Sequence, residues 1–151
     1  MIVEILKSLF ERDLDKLRDE IARYSDETKI WEVGHDISNS AGNLCLHLIG
    51  NLSTYIGAEL GNSGYVRHRD LEFSTKGTSQ AELIQRIEET KAIVVGTLSK
   101  LTDEQMAEDY PQIVFTDKMT TGWFLMHCAT HFNYHLGQIN YHRRFFDAGA
   151  E

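Results

Sequence analysis

Three features of the sequence predict an all-α fold, a bundle of four long helices. Proline occurs once, at Pro111, so almost nothing removes a backbone donor or kinks a helix. Apolar residues recur at threes and fours, the period of one helix face. The breaks between these segments carry capping and turn residues, such as Ser38 and Ser40, Gly61 to Gly64, and Ser79 with Glu82, which start and stop helices. At 151 residues the chain is most simply one domain, residues 1–151, large enough to bury a real core.

Ile2, Ile5, Leu6, Leu9, Leu14, Leu17 and Ile21 stand among Glu, Lys and Arg, which predicts an amphipathic first helix to about Tyr24. A polar connection over residues 25–38 surrounds Trp31 and Gly34. The second helix starts near Ser38 or Ser40, either of which can cap it, and runs to about Leu60. Residues 65–78 (YVRHRDLEFSTKGT) read as a long charged loop between the second and third helices. Ser79 and Glu82 have the spacing of a capping box for the third helix, with its stripe of Leu83, Ile84, Ile87, Val94 and Leu98. Thr102 and Gln105 suggest one further helical turn, and YPQIVFTDKMT an extended stretch or small hairpin. The fourth long helix is expected from about Thr121 to Phe146.

The formal net charge is -8, which repels nucleic-acid phosphate and anionic lipid alike. Ile37 to Ala58 holds no charged side chain and is long enough to span a bilayer. It carries Asn39, Asn43, His47, Asn51 and Thr54, however, too much polarity for hydrocarbon. A buried helix with a special face is the better reading. The first twenty residues interleave charge with apolar side chains and do not form a secretory leader. Cys45 and Cys128 are isolated, which suits small core residues in a reducing cytoplasm better than disulfides or nucleophiles.

His127, His131 and His135 stand four apart, a drift of about 40° per step on one helical stripe. Gln138 and His142 fall in the same arc. An isolated HxxxH pair arises often by chance and is a weak signal. The second helix strengthens it. Opposite its apolar arc lie Asn43, Thr54, His47 and Asn51, without any Lys, Glu or Arg. A solvent face normally carries charge, so this stripe suits a polar pocket whose groups have assigned partners. Two imidazoles from one helix and one from its neighbour can meet at a single metal ion, and His47, His131 and His135 are the expected ligands. Three protein ligands leave coordination positions open for water or substrate. His127 is expected as a pocket residue or an ordinary hydrogen-bonded helix histidine. Asn51 and Gln138 can orient the ligand rings, though Asn51 can equally cap a buried backbone group. Arg67 and Arg69 can grip a carboxylate of a substrate or pair with Asp70 and Glu72.

Two blocks carry a resemblance to a known family. NSAGNLCLHLIGNL places Asn39, Ser40, His47, Leu48, Gly50 and Asn51, and is followed by Arg67, Arg69, Asp70, Glu72 and Phe73 in an R-x-R-D-x-E-F stretch. HFNYHLGQI places His131, His135, Gly137 and Gln138 in an HxxxH-x-GQ pattern. The chain resembles, over essentially its whole length, the DinB-like four-helix bundles, also called YfiT-like metal-dependent hydrolases. The resemblance implies a divalent metal (zinc, nickel or iron) on His47, His131 and His135, and a homodimer. Relatives include bacillithiol S-transferases and a mycothiol-dependent maleylpyruvate isomerase. The expected function is therefore a metal-dependent enzyme, foremost a thiol S-transferase that uses a low-molecular-weight thiol on small electrophiles. The alternatives are a metal-dependent hydrolase and a non-catalytic metal-binding protein associated with stress.

Overall fold

In the computed structural model, which describes residues 1–148, the first apolar stripe folds as α1, Ile2–Ala22. Val3, Leu6, Phe10, Leu14, Leu17 and Ile21 form its buried face. Of the expected stripe, Ile2 and Ile5 are exposed and Leu9 is half-buried, because the face that packs is turned toward Val3 and Phe10. The helix stops two residues short of Tyr24, whose ring turns back into the core. The following connection contains a short 3-10 turn, Glu27–Trp31, capped by Asp26. The Trp31 ring then packs on Gly42, where a Cβ would stand only 2.6 Å from it, and its Nε1 donates to the carbonyl of Thr78 at 3.2 Å.

Ser40, the second of the two candidate caps, starts α2, Ala41–Leu52, by accepting from the backbone N–H of Asn43 at 3.1 Å. The helix continues as a π-helical turn over Ser53–Ala58. Nearly every α2 side chain is buried, which is why the segment lacks charge. No helix among the described residues is long and apolar enough to cross a membrane.

The stretch expected as loop holds a short helix, α3, Arg69–Ser74. Six residues are too few to show a period, and tertiary contacts hold them: Asn43 Nδ2 donates to the carbonyls of Glu72, at 2.9 Å, and Thr75, at 2.8 Å. Ser79 accepts from the Glu82 N–H and caps α4, Gln80–Leu98. Thr102 and Gln105 bond reciprocally at the next turn, Gln105–Ala107. In place of the expected hairpin, a single antiparallel bridge joins Asp109 to Thr120. Among the described residues there is no strand; buried Tyr110 instead sends its hydroxyl to the Tyr55 carbonyl at 2.6 Å. Thr120 caps α5, Thr121–Phe146.

Cross-helix partners give the directions. On α1 and α5, Asp13 meets Asn133 and Glu20 meets Asn140, so these helices are parallel. Arg18 pairs with Glu88 and Asp15 with Lys91, so α1 and α4 are antiparallel. His47 meets His131 while Tyr55 meets Phe124, which makes α2 and α5 antiparallel. Each long helix packs on two others in the cyclic order α1, α4, α2, α5.

His142 is one polar element of this core. Its Nε2 donates to the Glu32 carbonyl at 2.8 Å, and its Nδ1 accepts from the Tyr24 hydroxyl at 2.7 Å. Burial lowers its pKa from the ordinary 6.5. The unfolded chain therefore takes up this proton first, and the contribution of neutral His142 is present above pH 6.5 and lost as pH falls. Chemical denaturation of the metal-free protein should show stability declining below pH 6.5, with a shallower decline in His142→Gln than in the native chain.

Candidate metal centre

The antiparallel pairing of α2 and α5 brings His47 against His131 and His135. One ligand atom from each lies within 4.8 Å of the others, and the ring centroids are 4.6 to 5.3 Å apart. His47 is buried; the other two are half-buried. The second nitrogens of His135 and His47 are held from behind. His135 Nδ1 lies 2.7 Å from Gln138 Oε1, an acceptor, so Nδ1 carries the hydrogen and Nε2 the lone pair. His47 Nδ1 lies 3.0 Å from Glu72 Oε1, which fixes the same tautomer.

His47 Nε2 and His131 Nε2 then face each other at 3.2 Å. Two ligands on one tetrahedral ion, each at its usual bond length, stand about 3.3 Å apart. Burial, helped by the three neighbouring imidazoles and Arg67, pushes His131 down to about 4. Burial also lowers His135, against the bond from Gln138. Both rings are thus neutral near pH 7, the form that binds a cation. His131 Nδ1 is buried without a partner, so a hydrogen bond to His47 alone leaves the ring half satisfied. The three histidines could hold a metal ion: a nitrogen donor set of this kind suits a divalent transition metal.

Glu72 is the residue that sequence reasoning left unassigned. Its carboxylate is buried between His47 and Arg67, whose Nε and Nη2 donate to it at 2.8 and 2.9 Å. Burial alone would raise its pKa, but the bonds from His47 and Arg67 hold it below the usual carboxylate range. The carboxylate rests on Gly50, where any Cβ would collide with it. A signal was present in R-x-R-D-x-E-F, but nothing local says that this stretch returns to α2.

The other expected site residues are distributed around this centre. Gln138 orients His135. Asn51 does not orient an imidazole through Oδ1, which is buried without a partner; the carboxylate of Glu72 fills that role at His47. His127 lies outside the triad, stacked on Trp123 with centroids 5.8 Å apart and planes within 1°. Arg67 is committed to Glu72 by two bonds, and Arg69 lies over the Phe73 ring. Burial pushes the Cys45 and Cys128 thiols up to about 12, so neither is a thiolate at neutral pH.

Removing the carboxylate behind a metal-ligating histidine typically weakens metal binding by about 10- to 100-fold. Zinc affinity, read by competition with a chelator, should fall in that range for Glu72→Gln. It should fall in the same direction for Gly50→Ala, which displaces Glu72. An unchanged affinity in both would remove Glu72 from the centre.

A model of the family described as proteins of unknown function, DUF1572, matches residues 2–149. No curated protein matches the chain. With the family model spanning nearly all of it, the chain belongs to the DUF1572 family, one of the DinB-like families.

Proposed function

We propose that this protein is a metal-dependent enzyme, a thiol S-transferase that joins a low-molecular-weight thiol to small electrophiles. The observation that carries this reading is the convergence of His47, His131 and His135, two of them with their second nitrogen held by Glu72 or Gln138. A divalent cation bound there would supply positive charge that stabilises a thiolate at an open coordination position near neutral pH. The chain's own residues hold the geometry. Glu72 and Gln138 fix two tautomers and ring planes, and Arg67 keeps Glu72 ionised and in place. Cys45 and Cys128 are buried and protonated, which is consistent with a nucleophilic sulfur that comes from outside the chain. The residues that present the triad fit the DinB/YfiT-like four-helix bundle, as the helix order and directions also suggest.

The same reading includes a cytoplasmic homodimer with a small-molecule substrate. Support for the dimer is the row of exposed Trp123, Met126, Tyr134, Tyr141 and Phe145 along α5, since contiguous exposed apolar side chains mark protein–protein contact sites. Sedimentation should give twice the chain mass, falling toward the single chain when Tyr134 and Tyr141 are replaced by Lys together.

Zinc-loaded protein should consume monochlorobimane only when a thiol such as cysteine is added, at a rate above that of thiol alone. His47→Ala and His131→Ala should each reduce that excess by at least about a hundredfold, the scale of losing a main catalytic contribution. Turnover of an activated ester without thiol would favour hydrolysis. Retention of metal with neither activity would favour the non-catalytic role.

A further inference from the structure

Among the described residues, Asn51 Oδ1, Thr54 Oγ1 and His131 Nδ1 are buried polar atoms without a hydrogen-bond partner. Native proteins leave few such atoms, and each calls for an explanation. His131 faces His47 across the α2–α5 contact. Asn51 and Thr54 continue the His47 stripe, about 6 and 10 Å further along the helix axis. Between His47 against His131 and Tyr55 against Phe124, that stretch runs at the level of His127. There the Trp123 and Phe115 rings flank the His127 imidazole. α2 also passes into π winding over Ser53–Ala58, a rare geometry found often at functional sites.

We propose that Asn51 and Thr54 form a recognition subsite for an uncharged arm of the ligand whose reacting end lies at the triad. The arm carries a hydroxyl or amide donor some 6 to 10 Å from the atom at the metal, by the helical rise between these residues. Its neutrality follows from the stripe: α2 offers an amide and a hydroxyl but no charge there, and the nearby Arg67 is already paired with Glu72. A charged arm would be buried without a counter-charge. This inference rests on the metal reading of the triad.

The test uses zinc-loaded protein and two hydroxamates of equal length, whose hydroxamate end chelates zinc. One, heptanohydroxamic acid, ends in a methyl; the other, the hydroxamate of adipic acid monoamide, ends in a primary carboxamide. Calorimetry should show the carboxamide probe binding about tenfold more tightly, the worth of one or two neutral hydrogen bonds. In Thr54→Val and in Asn51→Leu the ratio should fall to near one, with zinc affinity unchanged. Thr54→Val should also melt no lower than the native chain, since it removes a buried hydroxyl that has no partner. Equal binding of both probes by the native protein, or a preference that survives both substitutions, would overturn the subsite. So would weaker zinc binding by Asn51→Leu, which would assign Oδ1 to His131 Nδ1 instead. A native chain that binds no zinc fails at the first titration and removes the metal reading together with the subsite.

Discussion

The buried carboxylate of Glu72 is the constraint from which much of this structure follows. An ionised group out of water needs donors and opposite charge, or it neutralises. Arg67 supplies a two-pronged guanidinium and His47 a ring N–H. The seat exists only because position 50 is glycine. Asn43, one turn before His47 on α2, holds the carbonyl of Glu72 and that of Thr75. The short α3 is therefore less a product of its own helical tendency than of what α2 presents to it. The crossing segment between α2 and α4 delivers one anion to one imidazole.

The other half of the centre depends on how α5 is rotated. Two contacts to α1, Asp13 with Asn133 and Glu20 with Asn140, span the same 120 residues of sequence, and Arg143 Nε donates a further bond to Glu20 at 2.7 Å. They clamp one face of α5. His131 and His135 each stand about 160° around the helix from Asn133, so the clamp on α1 turns both rings toward α2. Polar bonds on the far side of α5 thus do for His131 and His135 what Glu72 does for His47. The apolar core alone, being non-directional, would tolerate more rotation.

The long helices and the clustering of His47, His131 and His135 are legible in the sequence because the signals for both are periodic. Ser79 before α4, Thr121 to Phe146 in α5 and the helical period of α1 are all local signals, though Val3 and Phe10 replace Ile2 and Ile5 on the buried face of α1, and an uncharged stripe on α2 is visible on a helical wheel. What stayed hidden is long-range. Arg67 and Glu72 stand five apart in a charged stretch, but their value lies in reaching His47, twenty-five residues before Glu72. Likewise, nothing in YPQIVFTDKMT distinguishes a hairpin from a loop closed by one bridge, since only the burial of Tyr110 against Phe124 decides it. The even spacing of His127 with the other two was misleading for a related reason. Spacing reports a shared face, while Trp123 stacked on His127 determines that this ring belongs with the aromatics beside the site.

Charge balance connects these elements to the proposed chemistry. Neutral His131 and His135 bring no charge, and the negative charge of Glu72 is matched by Arg67. The pocket is built close to neutrality, so a divalent cation held there would keep most of its charge unmatched by protein. An anion is then the favoured occupant of an open position, and a thiol or water that binds there gives up its proton more readily. A carboxylate ligand in place of one histidine would cancel part of that charge and weaken the effect. The uncharged stripe on α2 therefore has a use beyond accommodating burial: it would leave the positive field of a cation bound at the triad undiminished for whichever small molecule reaches it.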